Sequence, residues 1–166
     1  GLRVKVAVPV WRIATDTPDY TADDLAGTGA KSSGGRWNRK GTAMVYTSGS
    51  AALACLETLV HLATNPLPLN RYLVRVEIPH AAFMARLRLD DLVAAERQVG
   101  WDAEPAGKVS LDLGTAWVEG MRSAVLEVPS VVLPEESNFL INPLHPDAAG
   151  IRAVKLRRFE YDRRLR

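Results

Sequence analysis

Apolar and polar positions alternate with a period of two along two stretches of the chain. Leu2, Val4, Val6 and Val8 alternate with Arg3, Lys5 and Ala7, which predicts a strand over residues 2–8; Pro9 interrupts it and residues 10–13 resume it. Tyr72, Val74, Val76 and Ile78 alternate with Leu73, Arg75 and Glu77, a strand ended by Pro79. Residues 44–46, 124–132, 138–141 and 154–161 read as further strands, with a break expected at Pro129 and Ser130 because proline cannot donate to a ladder. The period lengthens after Ser50, where Leu53, Leu56 and Val60 mark the buried stripe of a helix running to about residue 63. Ser48 or Ser50 can cap it, and Asn65 with Pro66 should stop it. Residues 90–98 and 115–122 read as two more helices.

Between these elements, residues 14–35 read as one long loop rich in Asp, Ser and Gly. A loop of this length in a compact domain is usually functional or mobile. It ends at Gly34-Gly35-Arg36-Trp37-Asn38, where paired glycines either let the backbone approach a ligand or make a plain turn. No internal repeat and no linker divides the chain, so residues 1–166 are expected to form a single domain. Strands with interspersed short helices, out of strict alternation, predict an α+β domain with a mixed or antiparallel sheet.

Composition narrows the class. The chain has 166 residues, 47% hydrophobic and 24% charged, with a formal net charge of +2. That is ordinary for a globular domain and too weak a charge to argue for nucleic acid alone. No apolar run approaches the roughly 20 residues of a membrane span, and residues 1–10 lack a signal-peptide pattern, so a cytoplasmic protein is expected. The single cysteine, Cys55, fits a reducing compartment and reads as a small buried hydrophobe. Three histidines and one cysteine make a closed zinc site a poor fit, and no metal is expected. The charge is uneven, with Arg152, Lys155, Arg157, Arg158, Arg163, Arg164 and Arg166 crowded at the end.

The candidate chemistry sits on six residues: Arg12, Arg36, Tyr46, Glu57, Ser130 and Asn138. Glu57 borders the stripe of its helix, and an acidic side chain there needs a partner or a cleft. His61, one turn on, is one candidate partner. Two arginines can fork onto phosphates, a tyrosine can stack on a flat ring, and a carboxylate beside a ribose can stabilise developing positive charge. Arg12 can alternatively be an edge arginine facing solvent. Neither GxxxxGK[ST] nor GxGxxG occurs, so a nucleotide site here is not of the P-loop or Rossmann kind.

Trp11-Arg12-Ile13, Gly34-Gly35-Arg36-Trp37-Asn38, Tyr46-Thr47-Ser48, Glu57, Val128-Pro129-Ser130 and residues 138–143 with His145-Pro146 follow one another in an order that resembles the RES domain. The resemblance covers about residues 10–160. It implies an ADP-ribosyltransferase-like fold acting on NAD+, and the toxin half of a bacterial toxin–antitoxin pair whose partner is an Xre-like helix-turn-helix antitoxin that covers the site. Carried over, Glu57, Arg12 and Tyr46 would be catalytic, and Arg36, Ser130 and Asn138 would bind the substrate. Ser137 rivals Ser130 as the family serine. The expected activity is cleavage of NAD+ at the nicotinamide–ribose bond, with water, phosphate or a protein as acceptor. A protein ADP-ribosyltransferase is the alternative on the same scaffold. A nucleic-acid-binding module using the basic C-terminal strand is the alternative from another class; on the toxin reading, DNA is met only through the antitoxin.

Overall fold

The computed structural model describes residues 5–62 and 70–165. They build one seven-stranded sheet in the order β4-β5-β6-β2-β1-β3-β7. The strands are β1 (Val8–Ala14), β2 (Val45–Ser48), β3 (Tyr72–Ile78), β4 (Leu87–Arg88), β5 (Val125–Pro129), β6 (Ser137–Ile141) and β7 (Arg152–Arg158). Only β4 and β5 run parallel; every other pairing is antiparallel, so the sheet is mixed and the class is α+β. The helices are short: α1 (Thr28–Ser33), α2 (Ala51–Val60), α3 (His80–Met84), α4 (Leu89–Leu92) and α5 (Lys108–Gly120).

The sheet is two halves held at a narrow seam. β1 pairs with β3 along its whole length, from Val8↔Ile78 to Ala14↔Tyr72, but meets β2 only at Trp11↔Ser48. This seam explains why Pro9 does not end the first strand. β1 is open toward β2 at that point, so a missing N–H breaks no second ladder. β1 therefore starts at Val8 and runs through Pro9; of the strand expected over residues 2–8, residues 5–7 are outside any strand and residues 1–4 lie outside the described set.

Side-chain alternation sorts the core into faces. Val10 and Ala14 of β1 join Val45, Val74, Val76, Ile78, Phe139 and Ile141 on one face. Ile13 and Leu73 turn the other way, under Ala54 of α2, with Trp11 and Cys55 against them. On that second face, farther along the sheet, Leu126, Val128 and Leu140 pack with Leu113, Trp117 and Val118 of α5.

Three helical expectations are corrected. The inward stripe of α2 is Leu53 and Ala54, while Val60 is 47% exposed, because the helix leaves the sheet at its end. Glu57, four residues after Leu53 and three after Ala54, thus lies on the inward face itself. Ser50 is the cap, its Oγ accepting from Leu53 N at 3.1 Å; Thr47 and Ser48, read as turn residues, are the end of β2. The expected stop at Asn65 and Pro66 lies outside the described residues. The helix over 90–98 is two pieces, α4 and a 3-10 turn (Ala95–Arg97), parted by an extended Val93. The loop over 14–35 contains α1, and the helix over 115–122 begins seven residues earlier, at Lys108. β7 begins at Arg152 and ends at Arg158, while Phe159 still donates its N–H to Arg71 O at 2.8 Å.

Gly114 ties α5 to the Gly-Gly-Arg-Trp turn. A Cβ there would sit 1.8 Å from the Trp37 carbonyl oxygen, which no side chain allows. Gly114→Ala is expected to part α5 from that turn and cost about 1–3 kcal/mol or more, read as a lower urea midpoint at unchanged slope.

Candidate active site

β2, β5, β6 and α2 converge on one carboxylate. Glu57 Oε1 accepts from Ser130 Oγ at 2.6 Å and from Asn138 Nδ2 at 2.8 Å. Asn138 stands directly opposite Ser48 in the β2–β6 register, and its Oδ1 accepts from Ser48 Oγ at 2.7 Å. Ser130 is placed by the end of β5. Pro129 closes the strand, Ser130 N donates to Glu136 O at 2.9 Å, and Ser130 Oγ accepts from Leu133 N at 3.1 Å. Its hydroxyl proton is thereby committed to Glu57. No hydrogen bond reaches Glu57 Oε2 among the described residues, so one carboxylate oxygen is fully engaged and the other is open. His61 is exposed, and no hydrogen bond joins it to Glu57.

The neighbouring wall is Tyr46, two residues before Ser48 on the same face of β2 and about 7 Å along it. Its hydroxyl accepts from Trp37 N at 3.0 Å and donates to Asn38 Oδ1 at 2.6 Å. Burial pushes that hydroxyl well above the ordinary phenol range, against the pull of both hydrogen bonds and of nearby Arg36, so it stays protonated. Gly35 is required beneath it: a Cβ would lie 2.6 Å from the Tyr46 hydroxyl. Arg36 is clamped by the loop after the 3-10 turn. Nη1 donates to the carbonyls of Trp101 (3.1 Å) and Ala103 (2.7 Å), and Nη2 meets Glu104 Oε2 at 2.7 Å. Trp37 stacks on Trp101, with ring centroids 6.0 Å apart.

Arg12 is not brought to this place. By alternation it shares the face of Val10 and Ala14, opposite to α2. Its Nε is buried with no hydrogen-bond partner among the described residues. Burial pulls its guanidinium below the ordinary value, while Asp24 and Tyr20 of the 14–35 loop act in the other direction. Ser137 is likewise on the far face, opposite Pro129, and donates to Glu127 Oε2 at 3.1 Å. The structure therefore sends the two candidate serines to two different carboxylates.

Glu127 belongs to a separate ionic group with Arg86 Nε at 2.8 Å and Arg88 Nε at 3.4 Å. Burial alone would raise its carboxyl, but the hydrogen bonds from Arg86 and Ser137 and the charge of Arg88 outweigh it and hold the carboxyl low. Nearby, a recess of about 290 Å³ lined by Val8, Val10, Phe83, Ser137 and Phe139 opens on this apolar face, away from the Glu57 network. It has too few convergent polar groups to serve as the reactive centre. Cys55 is half-buried, and burial pushes its thiol up, away from nucleophilic use. Among the described residues no cluster of His, Cys, Asp or Glu could hold a metal ion, and no helix is long and apolar enough to cross a membrane.

Sequence reasoning missed Ser48, Asn38, Trp101 and Glu104. Ser48 had a visible signal in Tyr46-Thr47-Ser48 but read as a turn. Asn38 stood in the Gly34–Asn38 motif without a role, although its contact with Tyr46 spans only eight positions; Trp101 and Glu104 meet Arg36 across 65 and 68 positions, which spacing does not carry.

The RES domain family model matches residues 9–163. The chain belongs to the RES domain family. A protein of Sphingobium sp. (strain YBL2) named Prs ADP-ribosylating toxin is 55% identical over 155 residues, 93% of this chain and 94% of that protein. Proteins named Toxin Res are 36% identical over 148 residues in Yersinia enterocolitica (89% of this chain, 93% of that protein) and 34% identical over 158 residues in Pseudomonas putida (94% and 98%). The RES domain chain thus matches these relatives over nearly their full lengths.

Two outcomes are expected of this geometry. Tyr46→Phe keeps the ring but strands the buried Trp37 N–H and Asn38 amide oxygen, costing about 1–3 kcal/mol in denaturant unfolding. The low-lying Glu127 carboxyl gives stability that is complete above the unfolded glutamate range, around pH 4.3, and is lost as pH falls below it. In Glu127→Gln, melting temperature is expected to fall less steeply than in wild type below about pH 5.

Proposed function

We propose that this RES domain is a toxin that breaks the nicotinamide–ribose bond of NAD+ and passes ADP-ribose to an acceptor. The observation carrying this reading is Glu57, a carboxylate with one oxygen held by two side-chain donors and the other open. The C1′–N bond breaks with its electron pair leaving on nicotinamide, which becomes neutral. Positive charge then spreads over C1′ and the ring oxygen of the ribose, where a fixed carboxylate stabilises it most. The acceptor bonds to C1′ and gives up its proton.

Arg36 supplies the phosphate contact in this reading, with a pyrophosphate oxygen taking the place of the exposed Glu104 carboxylate, whose side chain is 77% exposed. The Tyr46 ring gives a flat wall. Ser130 and Asn138 serve Glu57 more directly than they serve the ligand. Arg12 takes no part in the carboxylate network; its guanidinium belongs with Asp24 and Tyr20. An ADP-ribosyltransferase-like fold is part of the same reading.

The name of the Sphingobium relative favours a protein as acceptor over water or phosphate. The purified chain is to be incubated with NAD+ alone, with phosphate and with a bacterial protein extract, and the products identified by mass. Nicotinamide release is expected in each case, with ADP-ribose on protein in the third. Absence of nicotinamide release under all three conditions overturns the reading.

The relatives named Toxin Res support a restraining partner. An Xre-like antitoxin whose acidic or carboxylate-ended segment enters the cleft against Arg36 fits the charge there. It would be the route to DNA, and no membrane is involved.

Glu57→Gln keeps both accepted hydrogen bonds but removes the charge. It is expected to fold normally and lose about 10²- to 10³-fold in nicotinamide release. Expression of the chain alone is expected to slow growth, with growth restored by the antitoxin. Calorimetry should find antitoxin binding weakened by saturating NAD+. A stable complex with unchanged NAD+ turnover would sink the cleft-blocking idea.

A further inference from the structure

We propose that Ser48 is a positioning residue for Glu57 that acts through Asn138; its catalytic consequence rests on the NAD+-cleavage reading. Ser48 is buried, 4% exposed, at the last position of β2. It faces Asn138 across the β2–β6 ladder, and its Oγ donates to Asn138 Oδ1 at 2.7 Å.

The direction of every proton in this chain is forced. An ionised carboxylate only accepts, so Asn138 must turn its NH2 group to Glu57. Its carbonyl then faces β2, where it needs a donor. Ser48 provides that donor, and its hydroxyl proton has no other use. From the other side, Leu133 N–H donates to Ser130 and Ser130 to Glu57. Both chains deliver their protons to the same oxygen, Oε1, and each donor polarises the next. Oε2 receives none among the described residues, which makes it the oxygen presented to the sugar.

Removing the Ser48 hydroxyl leaves a buried amide oxygen without a donor. The amide is then anchored only through its NH2 on Glu57, its carbonyl is stranded, and the carboxylate is held less firmly on that side. Oε2 loses its fixed direction, while Arg36 and Tyr46 are untouched. The effect falls on the bond-breaking step and spares substrate binding.

The test compares wild type, Ser48→Ala, Ser48→Cys and Ser48→Thr. Cysteine keeps the size of serine with a weak donor, which guards against misfolding of the alanine variant. Threonine keeps the hydroxyl. Nicotinamide release is expected to fall about tenfold in kcat for Ser48→Ala and Ser48→Cys. KM should stay within about twofold, and Ser48→Thr should recover most of the rate. A second readout needs no substrate: the Asn138 side-chain NH2 resonances, identified by their loss in Asn138→Ala. These should exchange slowly with water in wild type and faster in the alanine and cysteine variants. Wild-type kcat in both of those variants, a change confined to KM, or unaltered Asn138 amide exchange overturns the proposal. A wild-type protein that releases no nicotinamide overturns the NAD+ reading, and amide exchange alone then decides the role of Ser48.

Discussion

A carboxylate on the inward face of a helix has to be given donors, and meeting that need for Glu57 fixes where three strands end. β2 must stop at Ser48, β5 must stop at Pro129 to release Ser130, and β6 must start so that Asn138 lies opposite Ser48. Shifting β6 by one residue would send Asn138 to the Phe139 face and leave the charge uncompensated. Apolar packing alone would accept several registers of such short strands. The buried polar chain accepts one.

The rim of the site is held by different physics. Around Tyr46 the contacts are backbone and ring: a glycine under a hydroxyl, a carbonyl against Gly114, two stacked tryptophans. These tie the Gly-Gly-Arg-Trp turn to α5 and to the Trp101 loop. The carboxylate side is a polar network and the arginine side is a packed hinge of loops. They meet along β2, whose Tyr46 and Ser48 belong to one each.

Much of the sheet was legible because alternation is a local signal. Tyr72–Ile78 is read to the residue since its alternate positions are buried, and Pro79 marks its end. α5 was half-hidden because its inward stripe includes Ser110 and Gly114, which no apolar period reveals. For the site, residue types told that Glu57 needed a partner and that Ser130 followed a strand-ending proline. They could not tell which face of β1 would be covered by α2, so the side of the sheet on which Arg12 lies was not legible. Nor could they separate Ser130 from Ser137, whose side chains part only because β5 and β6 set them on opposite faces. The α+β class followed from strands and short helices out of strict alternation, and the family from the order of motifs; both survive ignorance of faces.

The donors of Glu57 lie 73 and 81 positions beyond it in the chain. During synthesis, a ribosome that has released the helix with its glutamate has not yet made Ser130 or Asn138. The nascent polypeptide carries the charge long before it carries the means to aim it. Closing so long a loop is also slow compared with forming a helix. The Glu57 network is therefore assembled only late in folding, and truncated translation products ending before Asn138 lack one of its two donors.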